Sequence, residues 1–267
     1  MSMDAAQNAY RYDGTFDGFL CVVFEAFRRR ERPAEIGSGP GTGGLFGNEV
    51  EIATDKAHAD RVALGIAQHG GPSRLEWVYH AFQSDLPGRE AALFRLMETL
   101  FGGGADRLDD FRDADVRTAE KMVRLTRREV HRMHAFVRFE ETVDGQFISE
   151  VEPEADVLPL IGEHFGTRYP AMRWAVVDVA RRRALLHRPA ADAPLTERLA
   201  IVPAREVHAE RVPKEMRVQE QWQTYFRSVT IPERANPKLH LRHMPRRYWR
   251  HLPEKRPEVP VRDETDG

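Results

Sequence analysis

Residues 134–141 read HAFVRFEE and residues 146–153 read QFISEVEP, with Asp144 and Gly145 between them. Both runs alternate apolar with polar side chains and are rich in Phe, Val and Ile, the period-two pattern of strands with one buried face. An Asp-Gly pair supplies the backbone freedom that a tight antiparallel turn requires. Residues 134–153 are therefore expected to form a hairpin. Farther on, RWAVVDV at 173–179 and ALLHRP at 184–189 repeat the signal around a short link at 180–183. Between the two hairpins, residues 156–165 have helical spacing and stop near Gly166. The order strand, strand, helix, strand, strand predicts one α+β layer over residues 134–190.

Working outward toward the N-terminus, residues 10–133 read as mainly helical. The run FDGFLCVVFEAFRRRE from Phe16 places Phe16, Phe19, Leu20, Val23, Phe24 and Phe27 at helical spacing and ends in cations that suit the helix dipole. Asp13 or Thr15 is the expected N-cap, after a turn at Tyr12–Gly14. Cys21 lies among bulky apolar residues and is expected to be a packed thiol rather than a nucleophile. Residues 37–44, GSGPGTGG, contain the spacing G-x-G-x-x-G at Gly39, Gly41 and Gly44. A dinucleotide fingerprint needs a helix opening on that loop. Here LFGNEVEI follows with strand-like alternation, so the stretch reads as a flexible linker. Helices are expected over 58–69, 74–84 and 88–101, the last closed by Gly102, Gly103 and Gly104, and a long one over 114–133. The acids Asp106, Asp109, Asp110, Asp113 and Asp115 lack the spacing of a calcium loop and suit helix capping.

Composition narrows the classes. With 267 residues, 41% hydrophobic and 31% charged, the chain is long enough for a core but richly charged. A formal charge of -2 excludes a uniformly basic nucleic-acid coat, so any such binding must come from local asymmetry. A single cysteine excludes an internal disulfide and a cysteine-rich metal site built by this chain alone. No secretory leader and no membrane-length apolar run is evident, which points to a soluble cytoplasmic protein with no membrane partner.

The asymmetry is found at the C-terminal side, residues 191–256, before a tail at 257–267 expected to be flexible. A helix over 214–229 carries Trp222, Tyr225, Phe226 and Val229 on one face, expected to be core. Between Tyr225 and Arg256 stand nine Lys or Arg against two acids, Glu233 and Glu254. Four prolines, Pro232, Pro237, Pro245 and Pro253, divide this stretch, because each removes a backbone donor. Residues 238–242, if extended, put Leu239 and Leu241 on one face and Lys238, His240 and Arg242 on the other. Pro245 suits the start of a short helix ending near Pro253. Cations for phosphates beside rings that stack on bases are what a nucleic-acid surface requires. The candidate contacts here are Arg234, Lys238, Arg242, His243, Arg246, Arg247, Tyr248 and Trp249. Arg128, His131, Arg132, His134 and Arg138, at the end of the long helix and the strand after it, are the expected extension of that surface. The plainer reading is a basic run that pairs with acids of its own chain.

Other constellations are weak. The pairs His131/His134 and His240/His243 have spacing that a metal can use, but no H-E-x-x-H and no cysteine supports them. Glu150 and Glu152 share one face of a strand and could do acid–base work, or simply face solvent at an edge. No G-x-S-x-G turn is present. No metal and no cofactor is expected, catalytic residues are not identifiable, and whether the chain is an enzyme stays open.

Five ordered blocks carry a family resemblance: YRYDGTFDGFLCVVFEAFRRRERP, LFGNEVEIATD, VHRMHAFVRFE, RYPAMRWAVVDVARR and TIPERANPKLHLRHMPRRYWRHLPE. Together they span nearly the whole chain, about residues 10–254. The sequence resembles a bacterial family of DNA-metabolism or DNA-repair proteins whose activity is not established. Its members are typically encoded beside a radical-SAM protein similar to the photoproduct lyases, and some carry a fused uracil-DNA glycosylase-like domain. With Gly267 as the last residue of the sequence, that fusion is not expected here. What the resemblance implies is a DNA-repair context, DNA as a partner and a radical-SAM protein as a second one. It supplies no catalytic residues. The expected function is DNA binding in support of that partner; the alternatives are an enzyme acting on a base or the sugar-phosphate backbone, and a protein-interaction scaffold.

Overall fold

The computed structural model describes residues 4–5, 8–39, 49–207, 210–212, 221, 224, 228 and 237–255. Helices and sheets both contribute, as an α+β chain requires. Two compact units are formed, Met1–Arg128 with Glu154–Asp156, and Glu129–Pro153 with Val157–Gly267.

The first unit begins with strands β1 (Asp4–Ala5) and β2 (Ala9–Tyr12), then helix α1 (Phe16–Arg29) and strands β3 (Glu31–Arg32), β4 (Glu35–Ser38) and β5 (Glu49–Glu51). β1 pairs with β3, and β2 is the centre of a parallel sheet in the order β4-β2-β5. The stretch read as a linker from residue 37 is thus strand through Ser38, and its residues 40–48 lie outside the described residues. Helices α2 (Lys56–Gly70), α3 (Pro72–Phe82), α4 (Arg89–Phe101) and α5 (Ala114–Phe136) follow, α5 continuing into the second unit. Thr15 caps α1, its hydroxyl accepting from the Gly18 amide at 2.9 Å. Phe19, Leu20, Val22, Val23, Ile66, Leu93, Met97 and Met122 are buried together in one core. Cys21 belongs to that core, donating to the Asp55 carbonyl at 3.2 Å and accepting from its amide at 3.3 Å. Burial pushes its thiol pKa up, away from the thiolate a nucleophile needs. Of the acids before α5, Asp113 caps it, its Oδ1 accepting from the Asp115 amide at 2.8 Å, whereas Asp110 Oδ1 accepts from the Arg112 amide ahead of the helix at 2.9 Å and Asp109 pairs with Arg74.

The second unit is built on a five-stranded sheet. It comprises β6 (Glu140–Glu141), β7 (Phe147–Val151), helix α6 (Leu158–Arg168), β8 (Trp174–Asp178), β9 (Arg183–His187), the single turn α7 (Leu195–Arg198) and β10 (Leu199–Pro203). The strand order is β10-β9-β8-β7-β6, antiparallel except where α6 crosses from β7 to its parallel neighbour β8. Gly145, at φ 74°, makes the first turn, with its amide on the Thr142 carbonyl at 2.9 Å. Ile148, Ala175 and Leu186 are adjacent across β7, β8 and β9 and form a core on one face with Val202 and Val207. On the other face, α6 approaches closely through Gly162 and Gly166. A Cβ at Gly162 would lie 2.9 Å from Leu199 Cδ1, and one at Gly166 2.4 Å from Leu195 Cδ1.

Two expectations change. The strand read from His134 begins only at Glu140, because α5 continues through Phe136. Met133 and Val137 are both buried, so the four-residue spacing continues the helix's inner stripe and overrides the alternation of HAFVRF. The layer expected to hold four strands gains a fifth, β10, from Leu199–Pro203 beyond the second hairpin. No helix among the described residues is long and apolar enough to cross a membrane.

Candidate nucleic-acid interface

Within the second unit, the last turns of α5 meet the C-terminal segment. Residues 237–243 are helical rather than extended, with Pro237 opening the helix where a missing amide costs nothing. Leu239 and Leu241 are 49% and 38% exposed, so they do not form the inner face an extended segment would have given them. After Pro245, Arg246–His251 forms a 3-10 turn. Tyr248 and Leu252 are buried and anchor it, the Tyr248 ring 5.2 Å from that of Phe136.

The anchor is electrostatic as well as apolar. Glu129 on α5 is fully buried, a costly place for a carboxylate unless several donors meet it. Tyr248 Oη donates to Glu129 Oε2, and Arg132 Nη1 donates to Oε1 at 2.7 Å. Arg247 Nη2 stands 3.5 Å from the same oxygen. Both guanidiniums also lie over the Tyr248 ring, at 5.8 Å for Arg132 and 4.8 Å for Arg247. Burial first, and then the Glu129 acceptor, push the Tyr248 phenol up to about 12. Arg132 Nη2 further reaches the Arg242 carbonyl at 3.4 Å.

Other cations are engaged in the same way. Arg138 donates to the Ala135 carbonyl at 2.6 Å and to Glu254 at 3.1 Å. Arg250 pairs with Glu152, and Arg211 with Glu140 and Glu150. Glu150 and Glu152 therefore each face a guanidinium, and β7 is an interior strand, not an edge. Trp249 is half-buried, its Nε1 donating to the Met244 carbonyl at 3.0 Å, with Arg246 and Lys255 at 5.8 and 5.4 Å from its ring. Arg242, His243 and Arg246 are exposed, and among the described residues no carboxylate pairs with them.

The remaining candidates are dispersed. Arg128 belongs to the first unit and stands 3.9 Å from Glu154 of that unit. His131 is exposed on α5. His134 stacks on His164 of α6, with centroids 3.9 Å apart. Among the described residues its buried Nε2 has no hydrogen-bond partner, and burial, aided by His164, holds its pKa below the usual histidine value. Among the described residues no group of three or more His, Cys, Asp or Glu could hold a metal. Arg234, Trp222, Tyr225, Phe226 and Val229 lie outside the described residues, as do the side chains of Lys238 and His240.

Sequence reasoning missed Glu129 and His164, and it named Glu254 only as an acid of the basic stretch, not as the partner of Arg138. Glu129 had a signal: it occupies an inward position between Thr126 and Met133, where an acid is costly unless paired. The other two are placed by chain-distant packing that no local pattern announces.

No curated protein and no solved structure matches the chain. A family profile does match, over residues 87–254, from the start of α4 to the end of the basic C-terminal segment. By that match, over more than half of its length, the chain belongs to the family described as a domain of unknown function, DUF4130.

Proposed function

We propose that this chain is a DNA-binding accessory protein of DNA repair or DNA metabolism, acting in the cytosol and holding DNA for a radical-SAM partner enzyme. The observation that carries the reading is the exposed set Arg242, His243 and Arg246, which no described carboxylate neutralises, on a segment anchored by Tyr248 and Leu252. Cations held in place with their charge intact support phosphate contacts. The DNA-repair context and the radical-SAM partner rest on the sequence resemblance alone.

The pairing of Arg132, Arg138, Arg247 and Arg250 with carboxylates of the same unit favours a second reading. In it the basic composition serves to clamp the segment, and the chain is a protein-interaction scaffold. An Arg242→Gln, Arg246→Gln double variant separates the two. On the first reading it keeps the parent melting temperature while the slope of log affinity against log salt for duplex DNA becomes shallower by about 1.8. Unchanged DNA affinity in a folded variant removes the segment from the interface.

A further inference from the structure

We propose that the outward row of α5, Arg117, Lys121, Arg124 and Arg128, is a second contact surface, one that takes the phosphate backbone of duplex DNA. The proposal rests on the reading of the chain as a DNA-binding protein and assigns contacts that the C-terminal segment does not contain. These four positions follow one another at intervals of four, three and four residues, so they share one helix face. They run about 16 Å along it. All four are exposed, and all lie in the first unit.

Their charge is largely unspent. Residues 117–128 hold five cations and one acid, Glu120. Trp77 Nε1 donates to Glu120 Oε2 at 3.1 Å, and Arg124 stands 3.4 Å from Oε1 with 72% of its side chain exposed. Arg117 Nη1 donates to the carbonyls of Phe111 and Arg112 at 3.0 and 2.7 Å. That fixes the guanidinium without neutralising it. Lys121 has no ion pair among the described residues. The contact of Arg128 with Glu154 is 3.9 Å long and exposed, a kind of pair that a competing anion displaces readily. The acids at the start of the helix are committed, Asp113 to the first amides of α5 and Asp115 to Arg95 in two hydrogen bonds of 2.6 and 2.7 Å.

Along residues 117–128 the row has no aromatic ring to serve as a platform for the unstacked bases of a single strand; the exposed Phe111, whose carbonyl accepts from Arg117, lies beyond its end. It offers no apolar anchor either, which a protein partner would want at the centre of an interface. A straight helix with about one cation per turn instead suits the fixed phosphate array of a duplex.

The test is the triple variant Arg117→Gln, Lys121→Gln, Arg124→Gln in the full chain, titrated by fluorescence anisotropy against a labelled mixed-sequence duplex, a single strand and polyglutamate. The expected result is a salt slope for duplex shallower by about 2.7 and an affinity down roughly tenfold or more, with a smaller change for the single strand. Lys121→Gln alone, at a side chain with no ion pair to lose among the described residues, guards against misfolding of the triple variant and is expected to reduce the slope by about 0.9. If the parent binds duplex and both variants keep its slope, the row is overturned while the C-terminal reading stands. A parent that binds no DNA overturns both. A parent that holds polyglutamate as tightly as duplex, and loses both equally in the variants, overturns the duplex assignment in favour of an acidic protein.

Discussion

Glu129 has no contact with water, yet it carries the charge that gathers Arg132, Arg247 and the Tyr248 hydroxyl. Removing it leaves two guanidiniums facing a buried site without their acceptor, so Glu129→Ala is expected to cost about 3–5 kcal/mol in a urea titration. Tyr248→Phe removes one hydrogen bond to a charged group and is expected to cost about 1.5–3 kcal/mol. The pH dependence has a definite sign. The folded-state phenol lies near 12 and the free one at 10.0, so its contribution is intact below pH 10 and is lost as pH rises toward 12. The Tyr248→Phe variant should accordingly lose less stability than the parent over that window. Equal losses would show that burial and the Glu129 acceptor do not raise the phenol pKa. His134 works in the opposite direction. Its folded-state pKa is held below 6.5, chiefly by burial, so the unfolded chain takes up more protons as pH falls below that value and stability drops. His134→Gln should flatten the decline in melting temperature between roughly pH 7.5 and pH 5.5; an unchanged decline would place the acid sensitivity elsewhere.

The layer of β6 to β9 with α6 depends on close helix–sheet contact. Gly162→Ala would set a methyl group 2.9 Å from Leu199 Cδ1, the end of a flexible side chain that can shift, and is expected to destabilise only by about 1 kcal/mol, measured by thermal melting. A neutral substitution would mean that Leu199 yields without cost. This element was legible in the sequence because its signals are local. The alternation of QFISEV, the Asp-Gly turn and the apolar spacing of α6 depend on neighbours within a few residues. Where two local patterns competed, alternation misled. HAFVRF and PKLHLRH both alternate, yet the first gives His134–Phe136 to the end of α5 and the second forms a proline-initiated helix. The site was less legible, for a physical reason. Tyr248 and Glu129 are 119 residues apart in the chain, so nothing near Tyr248 tells that its hydroxyl serves a buried carboxylate. The basic segment could be read as cationic, but which cations are committed to acids is fixed only by packing.

For the whole molecule the formal charge is -2, so long-range attraction cannot bring this chain to a polyanion and binding must depend on local rows of cations. Such contacts release counterions, and their number can be read from salt dependence. The most direct test of the DNA-binding reading is therefore anisotropy of the full chain with labelled duplex DNA across a series of salt concentrations. With at least four phosphate contacts, log affinity is predicted to fall against log salt with a slope of about -3.6 or steeper. Absence of binding at low salt, or an affinity that does not change with salt, would contradict the account.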